Sequence, residues 1–163
     1  MNKVLVAYAS KQGSTKEVAK SIAETLKHED IDAVAVSIDS VASVAEYDGV
    51  IIGAPINGMR WRQDAVDFVG IHQSELQDKT VAYFSLSYTA VLGRKMWKKQ
   101  IAKAFDSVIK QTEPVQTATF GGRVDDELPS VVRFVFGVPK DTPKDQRDWE
   151  QIGAWARAFS DKL

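Results

Sequence analysis

The sequence predicts an α/β fold, a doubly wound parallel sheet of five strands with helices on both faces. Three observations lead there. Short apolar, β-branched runs recur along the chain, stretches of helical period separate them, and the loops after the runs are small and polar. A strand covered on both faces reads as a nearly unbroken apolar run. Parallel neighbours then need long right-handed crossovers, which the helical stretches supply.

The first strand is Val4-Leu5-Val6-Ala7-Tyr8. Residues 14–27 follow as a helix, with Val18, Ile22, Ala23 and Leu26 on one stripe and lysines and glutamates on the other. Residues 33–36 form the second strand and residues 50–53 the third, which Pro55 stops. Residues 63–72 carry Val66, Phe68 and Val69 and read as a helix, with Gly70 its weakest point. "TVAYFSLS" is the fourth strand, and "RKMWKKQIAKAFDSVI" is one helix with Met96, Trp97, Ile101, Ala104, Phe105 and Val108 on its inner side. "PVQTATF" is the fifth strand. "DWEQIGAWARAFSDKL" closes the chain as a helix that turns Ile152, Trp155, Ala156 and Phe159 inward, with Trp149 also read as core.

At 163 residues the chain suits one domain, residues 1–163, with a single sizeable core. A composition of 44% apolar and 26% charged residues excludes disorder, and a net charge of −1 gives no electrostatic case for nucleic acid. With no cysteine, the chain has no disulfide, thiolate nucleophile or iron–sulfur ligand. His28 and His72 stand far apart without metal-ligand spacing, so no metal is expected. The short apolar N-terminus lacks a cleavage site and reads as a strand, and no segment reaches the roughly 20 apolar residues of a membrane span. The expected location is the cytoplasm.

In open sheets of this kind ligands sit beyond the carboxyl ends of the strands, where the strand order reverses. The loop after the first strand is Ser10-Lys11-Gln12-Gly13-Ser14-Thr15. Free amides at a helix N-terminus, short hydroxyls and a glycine that admits close approach suit a phosphate. An even alternative is that Ser14 caps the helix, with Glu17 completing a capping box. Neither Gly-Lys-Ser/Thr nor Gly-x-Gly-x-x-Gly is present, which disfavours nucleoside triphosphates and dinucleotides.

At these residues the chain resembles the flavodoxin family. Ser10, Gly13 and Thr15 match its phosphate loop, while Gln12 stands where a threonine is usual. The resemblance implies a flavodoxin-like sheet in the order 2-1-3-4-5 with FMN at the switch point. It also assigns roles to two further loops. "GAPINGMRW" brings Pro55, Ile56, Asn57, Gly58 and Trp61, with Met59, to the flavin ring; Ile56, Met59 and Trp61 offer a wall and the Asn57-Gly58 turn an amide. "SLSYTAVLG" brings Ser85, Leu86, Ser87, Tyr88, Thr89 and Gly93 to the other face and the pyrimidine end, with Tyr88 stacking on the ring. No residue of the chain is assigned a catalytic acid or base, because the cofactor carries the electrons.

Between the fifth strand and the last helix lies a further segment. Leu128, Val131, Val132, Val135 and Phe136 fall on one helical stripe that packs on the sheet edge or a second subunit, or else touches a bilayer. "YASKQGST", "GAPINGMRW" and "FGGRVDD…DWEQIGAWARAFSD" are similar to the flavodoxin-type protoporphyrinogen oxidase family, although this insert is shorter than is typical there. That resemblance implies oxidation of protoporphyrinogen IX with a quinone acceptor in heme biosynthesis. The implied partners are a small-molecule or quinone redox partner, or a redox protein, with at most peripheral contact at the inner face of the membrane; a homodimer is left open. Arg60, Arg62, Arg94, Lys95, Lys98 and Lys99 cluster beside the loops, as a solvated face or as a grip for an anionic partner. The alternative function is a flavodoxin-type electron carrier with no substrate of its own; such carriers are usually strongly acidic, unlike this chain. A receiver-type sheet domain is disfavoured, since Ser10 and Ala54 stand where acidic strand ends are needed.

Overall fold

The computed structural model describes residues 1–90 and 94–163. Its central sheet contains β1 (Lys3–Tyr8), β2 (Asp32–Ser37), β3 (Gly49–Asn57), β5 (Thr80–Ser87) and β6 (Gln116–Gly121), in the parallel order β2-β1-β3-β5-β6. With the two-residue β4 (Arg60–Trp61) set aside, this is the expected order. β4 folds back antiparallel onto the end of β3 through Ile56↔Trp61 and Asn57↔Arg60.

Burial explains the apolar runs. Val4 and Val6 face one side of β1, where α1 (Ser14–His28) and α7 (Trp149–Ser160) cover them. Leu5 and Ala7 face the other, against Phe68 and Val69 of α2 (Gln63–Ile71) and Val108 of α5 (Asp106–Ile109). All four strand residues are fully buried, so no alternation survives in the sequence. The short α3 (Gln73–Leu76) seats Leu76 in the same core.

Several boundaries differ from expectation. β3 runs through Pro55 to Asn57, because Pro55 sits near the strand end and its carbonyl accepts from Arg62 N at 3.2 Å. The helix expected over residues 94–109 is two, α4 (Lys95–Ile101) and α5. The turn between them lets Phe105 meet Trp61 edge-on at 5.2 Å, while Met96 is left exposed. The apolar stripe of residues 128–136 forms α6 (Ser130–Phe136), which buries none of its residues fully. Trp149 is also outside the core: it is exposed, with the Arg147 guanidinium 4.7 Å above its ring. Trp155 is half-buried, edge-on to Phe120 at 5.7 Å.

Candidate functional site

A cleft of about 530 Å³ opens at the carboxyl ends of β1, β3, β5 and β6. The β1–α1 loop forms one wall. Ser10 Oγ accepts from Gly13 N at 2.9 Å and folds the loop into a tight arch. Gly13 itself sits at φ 90°, and a Cβ there would meet nothing within 4 Å. Glycine is therefore required by its left-handed backbone and not by crowding.

No side chain caps α1, which overturns the capping-box alternative. Glu17 donates its backbone N–H to Gly13 O, while its carboxylate turns away to Arg147 and Arg123. Among the described residues, the amides of Ser14 and Thr15 donate to no protein acceptor. These unpaired first-turn N–H groups stand at the positive end of a 15-residue helix and make a cradle able to receive an anion. Ser10, Lys11, Gln12, Ser14 and Thr15 line the cleft, and Gly13 sets the backbone between them.

The hairpin after β3 contributes Pro55, Ile56, Asn57, Gly58 and Met59. Gly58 (φ 55°) and Met59 (φ 65°) occupy the two central positions of a two-residue turn, as a right-twisted hairpin demands. For Met59 the left-handed backbone is costly, so the cleft edge carries stored strain.

Trp61 corrects the expectation of an aromatic wall. It is 2% exposed and lies beneath the cleft, donating Nε1–H to Ala54 O and Phe84 O, both at 3.2 Å, with Tyr83 and Phe105 against its ring. The pairing of β4 with β3 turns it inward.

The β5 loop supplies Leu86, Ser87, Tyr88 and Thr89 to the cleft. Ser87 Oγ accepts from Ala90 N at 3.2 Å and so folds the loop back. Tyr88 donates its hydroxyl to Pro143 O at 2.8 Å, which fixes its ring against the segment before α7. Ser85 is not a cleft residue: it is fully buried and shares a 2.8 Å hydrogen bond with Thr119 across β5 and β6. Gly93 lies outside the described residues.

Sequence reasoning missed the fourth wall, which holds Gly122, Arg123 and Val124 after β6 along with Ile101 and Phe136. The rule that points to strand ends applies to the fifth strand of the sheet as well, so Gly122–Val124 were within its reach. Of the cations singled out, Arg62 lines the cleft and pairs with Asp64 at 2.9 Å. Arg94 instead donates to Phe134 O, and Lys95, Lys98 and Lys99 stay exposed on α4. Lys11, Arg62 and Arg123 line the cleft, and among the described residues no carboxylate does.

Behind the cradle lies an ion-pair network. The Arg147 side chain, 4% exposed, donates Nε and Nη2 to Asp145 at 2.9 and 2.7 Å and Nη1 to Glu17. Arg123 Nη1 reaches Glu17 at 3.4 Å. The Arg147 hydrogen bonds hold the carboxyls of both Glu17 and Asp145 below their ordinary range, and the same bonds push the Arg147 guanidinium further up.

A doubly wound sheet of this order, with an uncapped helix start and three more loops around one cleft, is the architecture of a flavodoxin. The flavodoxin domain family model matches residues 5–148, and the chain belongs to that family, whose cofactor is FMN. It is 25% identical over 171 residues to the protoporphyrinogen IX dehydrogenase [quinone] of Escherichia coli K12, covering 97% of this chain and 94% of that one. Oxidised flavodoxin 2 of Bacillus cereus has the same fold, with a TM-score of 0.66, 23% identity and 99% of each chain covered. The flavodoxin of Fusobacterium nucleatum bound to flavin mononucleotide superposes with a TM-score of 0.60 at 13% identity, over 100% of this chain and 99% of that one.

Proposed function

We propose that the protein is an FMN-dependent oxidoreductase that takes electrons from protoporphyrinogen IX and passes them to a quinone, in the cytoplasm as a step of heme biosynthesis. The observation that carries the cofactor assignment is the cradle: among the described residues, unpaired amides of Ser14 and Thr15, hydroxyls of Ser10, Ser14 and Thr15, and no carboxylate in the cleft wall. Such a donor set fits a phosphate ester. Ile56, Met59, Leu86 and Tyr88 fit the flat, largely apolar remainder of an isoalloxazine. The donor and acceptor are supported by the similarity to the Escherichia coli enzyme along nearly the whole chain.

When bound, FMN supplies the redox chemistry. The chain's own residues grip, orient and shield. The β1–α1 loop would hold the phosphate, the hairpin at Asn57 to Met59 and the Ser87–Thr89 loop would flank the ring system, and Lys11 at the cleft wall would favour negative charge there. A lipophilic acceptor has a face to approach. α6 exposes Val131 and Phe134, and it is tied to α4 by the Trp97 Nε1–H bond to Val135 O at 2.9 Å. α4 adds the exposed Lys95, Lys98 and Lys99, which suit anionic lipid headgroups, and Phe136 and Ile101 of the same two helices line the cleft.

Turnover of protoporphyrinogen IX by FMN-loaded protein with a menaquinone analogue is the expected result; absence of turnover with every quinone supplied refutes the assignment. A second reading, an electron carrier without its own substrate, is favoured by one feature: no carboxylate or histidine lines the cleft among the described residues, so no proton-handling group is in place. A carrier would be reduced only by a partner reductase and would leave protoporphyrinogen untouched.

A further inference from the structure

Residues 122–148 leave the sheet after β6 and return on themselves before α7. Gln146 N donates to Gly122 O and Val124 N to Lys144 O, both at 2.9 Å, with an antiparallel bridge between Arg123 and Asp145. The root of this excursion is thus a closed strap, and Arg123 and Val124 within it line the cleft. The strap is fastened to α1 at one carboxylate, Glu17, which receives Arg147 and Arg123 together.

The position of Glu17 is electrostatically awkward for an anion site. It lies three residues after Ser14, roughly 4.5 Å further along the helix axis. A free carboxylate there would repel a dianion held by the Ser14 and Thr15 amides, over a distance well inside the ~8 Å screening length of physiological salt. The Arg147 guanidinium is nearly shut off from water, forked onto Asp145 and stacked on Trp149, so its charge is fixed in place beside Glu17. We propose that Arg147, with Arg123, is a positioning residue of the phosphate site: the two arginines neutralise Glu17, and closure of the 122–148 strap and binding of a phosphate ester at the β1–α1 loop favour one another. The coupling is reciprocal by linkage, so whatever strap closure adds to phosphate affinity, the bound phosphate adds to strap closure.

This rests on the FMN reading and is tested apart from it, on the full-length apoprotein titrated with FMN and with riboflavin, which lacks the phosphate. Arg147→Ala is expected to weaken FMN binding about tenfold, within the usual range of coupling between sites, and to leave riboflavin affinity unchanged. Adding Glu17→Gln to that variant recovers part of the FMN affinity, because the unneutralised carboxylate is gone while the tie to the strap stays cut, and Glu17→Gln alone weakens FMN relative to riboflavin less than Arg147→Ala does. Equal weakening of both ligands by Arg147→Ala, or no rescue by Glu17→Gln, assigns Arg147 a purely structural role and overturns the proposal. Should Arg147→Ala fail to fold, Arg123→Gln is read by the same FMN-to-riboflavin ratio, and an unchanged ratio is equally fatal. Hydrogen exchange within residues 125–143 should slow on adding FMN, or inorganic phosphate alone, but not riboflavin; identical protection by FMN and riboflavin contradicts the coupling. Wild-type protein that binds neither flavin removes the FMN reading itself, whereas FMN binding with an unmoved ratio removes only the coupling.

Discussion

The two sides of the cleft are built on opposite terms. The β1 and β3 side rests on strands whose central residues, Val4 to Ala7 and Val50 to Ile52, are fully buried on both faces, so its loops stand on a packed floor. The α4 and α6 side turns only Ile101 and Phe136 to the cleft and leaves other apolar residues outward: Val131 and Phe134 are 73% and 77% exposed, and hydrogen bonds from Trp97 and Arg94 to α6 carbonyls hold it together. The difference teaches that the β1 and β3 end, where FMN binding is proposed, is specified by packing. The other end is specified by a few polar ties and keeps apolar surface free for something outside the chain.

Substitutions on the two sides should therefore differ in kind. The largest effect expected is from Trp61→Ala, which empties a fully packed site and removes two hydrogen bonds. It should cost about 3–5 kcal/mol in denaturant unfolding, a large part of a typical domain's stability. A cost below about 1 kcal/mol would mean the residue is not in the core. Next is Gly13→Val. A β-branched residue at φ 90° costs about 1–2 kcal/mol or displaces the arch, so FMN affinity should fall about tenfold or more in a fluorescence titration. Undiminished affinity would show that the arch does not hold the ligand.

A pH effect sharpens the contrast. Glu17 and Asp145 are held below their ordinary values by Arg147, so their folded-state affinity for protons is lower than in the unfolded chain. The stability they lend is present above about pH 4.3 and is lost as pH falls through the depressed range. Acidification should open residues 122–148 to protease before the sheet loses its near-ultraviolet dichroism; simultaneous loss would mean the strap has no separate equilibrium. The smallest change in stability belongs to Phe134→Asp, within about 0.5 kcal/mol as for other surface sites. The same substitution should abolish sedimentation with anionic vesicles, and unaltered sedimentation would remove α6 from the membrane-facing role.

Much of the fold was legible in the sequence where one force dominates. Val4 to Ala7 read as a doubly covered strand because burial on both faces leaves no polar alternation, and Ser10 to Thr15 read as the loop between strand and helix because small polar residues interrupt two regular elements. Legibility failed where tertiary partners compete. Glu17 had the spacing of a capping-box glutamate, but Arg147, 130 residues away, outbids the local backbone. Trp61 stood in a polar loop, and only its pairing opposite Ile56 turns it inward. The stripe from Leu128 to Phe136 has perfect helical period, yet period alone does not say whether protein or solvent faces it.

The most direct measurement is calorimetric titration of the apoprotein with FMN and with riboflavin. One FMN per chain, bound at least tenfold more tightly than riboflavin, is the predicted result, because the uncapped start of α1 is built for the ester that only FMN carries. Equal affinities, or no binding of either, would contradict the assignment of that loop.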